Sequence, residues 1–200
     1  KSLRRRGIRG EAIVEAMVGL GTSTSDVDLA LSSIYAANRD LIDDETDRRF
    51  FVRDGNQVPL AGDPPAEANP PLHPDHEERG DRDIPVDDAV LVEEQDLPEA
   101  GGKVWLKGFG PVERTDEKFV HTDDDLSVVK SGDVDVIHWV PASENVPLRL
   151  RTMDGDEVGH AEPGYADYDA DEMLQFERVG FVRVDEQHEG GESVAYYAHP

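Results

Sequence analysis

The sequence predicts a mainly β fold, a barrel or a sandwich, entered through a short helical segment. Three observations carry that expectation. Apolar residues repeat with a period near 3.6 as far as Asp43 and near 2 beyond it. Short alternating segments then follow one another without helices between them. Gly, Pro and Asp turn signals, such as MDGDE at 153–157, separate those segments.

In chain order, GEAIVEAMVGLG at 10–21 sets Ile13, Met17 and Leu20 at helical spacing and ends at the Gly19/Gly21 pair. A second helix is expected after TSTSDVD, with Ser25 or Asp26 as N-cap and Leu31, Ile34 and Tyr35 turned inward. Near Asp47, where we place the domain boundary, the pattern becomes extended. RRFFVRD, AVLVEEQD, KVWLKGF, KFVHT, LSVVKS, VDVIHWV, VPLRLRT, LQFERVGFVRV and VAYYAH read as strands. The proline-rich stretch 61–83 reads as a long loop bridging two of them. No internal repeat is evident. In DEMLQFERVGFVRVD at 171–185, a single strand would turn Leu174, Phe176 and Arg178 to one face and Met173, Gln175 and Glu177 to the other. One face could then pack while the other reads a ligand.

The 200 residues, 37% hydrophobic and 32% charged, suffice for one or two compact domains. With no cysteine, disulfide and thiol chemistry are excluded. No run reaches the roughly 18 apolar residues that span a bilayer, and KSLRRRGIRG lacks the apolar segment of a secretory signal. A cytoplasmic location is expected. The formal net charge of -25 argues at first against nucleic acid, because phosphate binding is normally driven by basic patches. Yet 15 Arg stand against 5 Lys, and the acidic residues are spread from Asp26 to Glu192. That mixture suits multimolar salt, where the Debye length is about 3 Å and self-repulsion is weak.

His73, Asp75, His76 and Glu77 form the one cluster with metal-ligand chemistry. Ligands so crowded in one loop do not close a tetrahedral site without partners elsewhere, so a solvated turn at Pro74 is the simpler reading and no metal is expected. No G-x-S-x-G, P-loop or G-x-G-x-x-G occurs. Arg4, Arg5 and Arg6, the one dense basic run, suit either an RNA-backbone or interdomain role or a solvated helix start. Arg48 and Arg49, at the helix-to-strand junction, have Asp43, Asp44 and Asp47 within reach as structural partners. IHWVPASENVPLRLR joins the basic pair Arg149 and Arg151 to Trp139, read as core because Ile137 and Val140 flank it.

LRRRGI, EAIVEAM, SSIYAANRDLIDDETDRRFFV, HPDHEERGDRDIPV, IHWVPASENVPLRLR and MLQFERVGFVRVD stand in the order of similar segments in a known family. Along its whole length the chain resembles the C-terminal half of archaeal-type glutamyl-tRNA synthetases and the related glutaminyl-tRNA synthetases. The resemblance implies a helical connector at 1–47 followed by two linked antiparallel β-barrels that recognise the tRNA anticodon, like a ribosomal 5S RNA-binding protein. It implies a first barrel at 48–98 plus 156–200 and an inserted second barrel at 99–155. The partner would be tRNA(Glu), with tRNA(Gln) as a second candidate. No catalytic residue is implied here, since the HIGH-like and KMSKS-like signatures of the family are absent. ATP and Mg would belong to a catalytic domain of the same polypeptide preceding Lys1.

Position by position, Arg48 in TDRRFFV falls on an anticodon-contacting arginine of the glutaminyl relatives, and Gln175 in LQFER on a glutamine that reads the middle anticodon base. An amide both donates and accepts, which suits the Watson–Crick edge of an unstacked uracil. Without the resemblance, Gln175 is a polar cross-strand partner. Arg4, Arg5, Arg6, Arg149 and Arg151 complete the candidate tRNA-binding set. Where the relatives carry a basic Q-x-K-R-like run, this chain has QDLPEAGG at 95–102, so contacts to the other anticodon bases are expected to differ. The competing expectations are a stand-alone RNA-binding barrel, a glutaminyl-tRNA synthetase segment, and a metal-dependent β-barrel enzyme built on His73, Asp75 and His76.

Overall fold

The computed structural model describes residues 2–19, 30–123, 127–130, 132 and 134–200. Leu20, Gly21, Ser25 and Asp26, given roles above, lie outside them. Three helices come first: α1 Ser2–Arg5, α2 Gly10–Gly19 and α3 Leu31–Ile42. Ile8, Ala16, Ile34 and Ile42 from this connector pack with Phe181 and Ala198 of a sheet. The inward face of α2 is Ala12 and Ala16, whereas Met17 is 57% exposed and Leu31, at the start of α3, is 46% exposed. Ile13, Ile34 and Tyr35 pack inward as expected, and Met17 and Leu31 do not, because the small side chains of Ala12 and Ala16 make the closest approach of α2. The chain crosses the sheet at Gly7, whose φ of +89° suits glycine and where a Cβ would collide with Met173.

The strands are β1 Arg48–Arg49, β2 Phe51–Arg53, β3 Asn56–Ala61, β4 Glu67–Ala68, β5 Ile84–Pro85, β6 Ala89–Val92, β7 Lys103–Leu106, β8 Gly110–Arg114 and β9 Phe119–His121. After the short helix α4 Ser127–Lys130 come β10 Asp135–Ile137, β11 Val140–Pro141, β12 Val146–Arg151, β13 Asp156–Ala161, β14 Met173–Phe176, β15 Gly180–Glu186 and β16 Ser193–His199. They form two barrel-like sheets, β1-β14-β15-β16-β12-β13-β2 and β10-β7-β8-β9-β3-β6-β11, with a β4-β5 ribbon beside them. The mainly β architecture with a helical entry is therefore as the sequence predicts. The second sheet lies, in sequence, between β2 and β12 of the first.

The two sheets match pair by pair. In each, the first and second strands run parallel, two antiparallel pairs follow, the fourth and fifth strands run parallel, and two antiparallel pairs end the sheet. Along the chain, β1–β9 and β10–β16 each supply a closing pair, a hairpin and a three-stranded meander. The closing pairs are exchanged: β1 and β2 complete the sheet made by β12–β16, while β10 and β11 complete the one made by β3 and β6–β9. The sequence had shown no repeat, because a repeated pairing pattern does not require repeated residues. It also misassigned strands. β3 and β6, expected in the first barrel, pair in the second sheet, and β12, expected in the insert, pairs in the first.

Two further segments differ from expectation. LSVVKS holds α4, since β-branched residues without a neighbouring strand make no ladder. LQFERVGFVRV is a hairpin rather than one strand: Arg178 takes φ +64° and Gly180 φ +136°, and the Val179 N–H donates to the Phe176 carbonyl at 3.0 Å. Arg178 therefore sits in the turn and not on a strand face. The equivalent turn between β7 and β8 has Gly108 at φ +76°, Gly110 at φ +143°, and the Phe109 N–H on the Leu106 carbonyl at 3.0 Å.

Phe50, Val52, Leu106, Phe119 and Trp139 belong to one core and Phe51, Leu148, Leu150, Leu174 and Phe176 to the other. Alternation along Phe50–Val52 thus feeds both cores from one strand segment. Trp139 is fully buried, as the sequence suggested, with its indole N–H donating to the Lys107 carbonyl at 3.0 Å. Among the described residues no helix is long and apolar enough to cross a membrane.

Candidate nucleic-acid interface

The parallel pairing of β1 with β14 sets Arg48 opposite Gln175, and the β14–β15 hairpin sets Gln175 opposite Phe181. Because Leu174 and Phe176 point into the core, Gln175 points outward, toward the face that the connector partly covers. Its backbone N–H donates to the Asp47 carbonyl at 2.9 Å. Its side-chain amide is half-buried and has no hydrogen-bond partner among the described residues.

Arg48 is in the opposite state. It is 6% exposed, with Nη2 2.7 Å from Asp43 and Nη1 donating to the Thr46 carbonyl and hydroxyl at 3.2 Å each. Its guanidinium also lies over the Phe181 ring at 5.9 Å. The Asp43 partnership considered from sequence is the one formed, and the donor fork is occupied inside the protein.

Pro74 and Asp75 form the exposed turn expected from the sequence, but His73 before them, beside Arg48, is 1% exposed. Its Nδ1 accepts the Asp75 N–H at 3.1 Å, and Nε2 lies 3.2 Å from the Asp43 carbonyl. Burial, with Arg48 nearby, holds its pKa below the usual value. His76 is held above the usual value by Glu78, 2.8 Å away, and Asp44, 3.2 Å away. Among the described residues no three His, Asp or Glu side chains gather as a metal site.

Arg49 turns the other way, toward Glu162 at 3.4 Å. That carboxylate is 1% exposed, accepts the Phe50 N–H at 2.8 Å and lies 2.9 Å from Arg82. Burial raises its pKa, and Arg82 and Arg49 oppose the rise. Arg82 continues to Glu177 at 3.4 Å, and Lys107 of the second sheet closes on the same carboxylate. Burial also works upward on Glu177, but Lys107, His138 and Arg82 outweigh it and hold the group below its usual range. His138, stacked on Phe50 at 4.7 Å, is pushed by burial down to about 4. It is neutral near pH 7, so its 3.8 Å approach to Glu177 is no ion pair there. This chain of charges joins the sheets two residues past Gln175. Arg178 adds a bidentate clamp on Asp96, at 2.6 and 2.8 Å, so the QDLPEAGG segment supplies an acid where a basic run was the comparison.

The remaining basic candidates divide. Arg6 is buried at 7%, donating to the Tyr197 carbonyl at 2.8 Å and to the Ala198 carbonyl, and it anchors the connector to β16. Arg5 pairs with Asp185 at 3.0 Å, and Arg149 with Glu192 at 2.7 Å and Asp156 at 3.4 Å. Arg4 and Arg151 have no carboxylate within ion-pairing distance among the described residues.

Sheet equivalence adds a residue that sequence reasoning missed. The row Val136–Trp105–Pro111 of the second sheet matches Arg48–Gln175–Phe181 of the first. Trp105 is half-buried, and its indole N–H has no partner among the described residues. The alternation in KVWLK, an aromatic between two lysines on one face, was the available signal.

Two family models, each described as the anti-codon binding domain of class I tRNA synthetases (E and Q), match residues 46–131 and 136–185, together well over half of the chain. The boundary between them falls between the two strand sets that exchange closing pairs. A glutamate–tRNA ligase from Natronomonas pharaonis is 67% identical across the whole chain, which covers 34% of that relative. One from Halobacterium salinarum is 56% identical, again across the whole chain and 36% of the relative. One from Methanococcus maripaludis is 36% identical, with 36% of its length covered. The chain thus spans about a third of the length of the relatives it matches.

Proposed function

The chain belongs to the anticodon-binding domains of the class I tRNA synthetases for glutamate and glutamine, and from that membership we propose that it binds the anticodon of tRNA(Glu) on the outer faces of its two sheets. The observation that carries the reading is Gln175: an outward amide without a protein partner among the described residues, beside Arg48, whose donors are satisfied by Asp43 and Thr46. Gln175 reads the middle anticodon base by paired donation and acceptance, and Trp105, at the matching place in the second sheet, offers a stacking surface for another unstacked base. The names of the relatives favour tRNA(Glu) over tRNA(Gln). ATP-dependent glutamylation, with its ATP and Mg, is the work of a catalytic domain of the same cytoplasmic polypeptide, to which these sheets present the tRNA.

The test is a double-mutant cycle on tRNA(Glu) transcript binding, measured by anisotropy in concentrated KCl. Gln175→Ala should cost about 1–3 kcal/mol against the unaltered anticodon and little once the middle base is changed. Simple addition of the two losses would make Gln175 a strand residue with no reading role. The same titration has an internal optical probe. Of two tryptophans Trp139 is fully buried, so a change in emission on RNA binding reports Trp105.

A further inference from the structure

The outer face of the first sheet carries a second feature that base reading leaves unused. Arg183, Tyr196 and Arg151 stand in register across β15, β16 and β12. From α1, Arg5 lies over the Tyr196 ring, its guanidinium carbon 4.8 Å from the centroid, and Arg151 approaches the same ring to 5.8 Å. Next to them Arg4, Arg5, Asp171 and Arg183 line a cleft of about 550 Å³. Arg5 and Arg183 are answered by acids: Asp185 lies 3.0 Å from Arg5 and 3.2 Å from Arg183, and Asp171 is also in contact with Arg183. Arg4 and Arg151 are not, among the described residues. Four guanidinia thus gather around Asp185 and Asp171, with Glu186 near Arg5 and Asp156 opposite Arg151 on β13, in a chain whose net charge is -25.

The chemistry selects the ligand. The Tyr196 ring is already engaged by Arg5 and Arg151, and its hydroxyl accepts from Arg151 Nη1 at 3.5 Å. Arg5 spends Nε and Nη2 on Asp185, but Arg4 and Arg151 have no carboxylate partner among the described residues, and a guanidinium fork of that kind suits an oxyanion. The position selects the source. On β14, Met173 opposite Arg183 is one outward position before Gln175 opposite Phe181. At about 3.3 Å per residue the two rows are about 7 Å apart. An RNA strand that delivers a base to Gln175 therefore carries its backbone past this cleft.

We propose that the cleft between α1 and β15, extended by Arg151 and Tyr196, binds the RNA backbone phosphate that neighbours the base at Gln175. The proposal rests on the anticodon-binding reading and assigns that site a sequence-independent half. In concentrated salt a guanidinium already seated on a ring has less ordering left to lose on binding, which offsets part of what screening takes away.

The test compares the wild-type chain with Arg4→Gln/Arg151→Gln and, separately, Gln175→Ala, on tRNA(Glu) transcript and on the same transcript with its middle anticodon base changed. Affinities are measured across a KCl series, and melting midpoints confirm the fold. The expected result is a loss of about tenfold for the arginine variant, equal for both RNAs, with a logarithmic salt slope shallower by about 0.7, the value for one single-strand phosphate contact. An unchanged affinity and slope overturns the phosphate site, as does a loss confined to the unaltered anticodon. Failure of the wild-type chain to bind either RNA overturns the anticodon reading itself, a result distinct from the other two.

Discussion

Arg48 and Gln175 occupy one ladder position on neighbouring strands, yet the fold treats them differently. A guanidinium loses much more hydration on burial than an amide, so it is tolerated there only with its donors satisfied, as Asp43 and Thr46 satisfy it. We expect Arg48→Ala to act on stability. With Asp43 still 35% exposed, the lost charge-assisted bonds are worth about 1.5–3 kcal/mol, read as a fall in the urea midpoint at constant slope. A variant with an unchanged midpoint but weaker tRNA binding would return Arg48 to the contact role its position suggested. The resemblance singled out both residues. It could not say which was satisfied, because the choice among Asp43, Asp44 and Asp47 and the approach of Phe181 are settled only by the fold.

Exchange of closing strand pairs makes each sheet a joint product of two chain segments. β2 sends Phe51 into the core of the β12–β16 sheet, and Val140 of β11 enters the core of the other. Fully burying one such Phe contributes about 1.5–3 kcal/mol, and a lost closing strand also leaves ladder groups unpaired. A protease site introduced between β9 and β10 should therefore yield a nicked protein whose halves co-elute and unfold together. If each half separates in native buffer and melts cooperatively by itself, the exchange has no energetic weight. At the joint, His138 adds a pH dependence with a definite sign. Its folded pKa of about 4 lies below the ordinary 6.5, so between those values the unfolded chain binds the extra proton. Stability falls as pH drops through that window, by about 2 kcal/mol between pH 6.5 and 5. Glu177, also held low, continues the loss at more acid pH. His138→Gln should flatten the midpoint-against-pH curve between pH 6.5 and 5. An unaltered curve would show that other groups set it.

For the molecule as a whole, the local period was enough to read a helical entry ending near Asp43 and strands after Asp47, since helix and strand differ in how side chains are spaced. Sheet membership was not legible. Whether β12 joins β16 or β9 depends on closure over long loops, and alternation is the same in either case. The acidic surface was legible from composition, and relatives at 50–67% identity come from halophilic archaea. Even if each of the 20 basic side chains pairs with an acid, the net charge of -25 is left as mutual repulsion. Salt weakens both the exposed ion pairs, worth about 0–1 kcal/mol each, and the repulsion among the surplus carboxylates, and the second effect is the larger here. The denaturation midpoint should therefore rise with KCl. Its steepest rise should lie below about 1 M, where the Debye length contracts toward about 3 Å. Salt acting only by strengthening apolar burial would instead give a gradual rise that continues into higher concentration and depends on the anion. A midpoint that is flat below that concentration, or equal in dilute buffer and concentrated KCl, would show that carboxylate repulsion does not limit the stability of this fold.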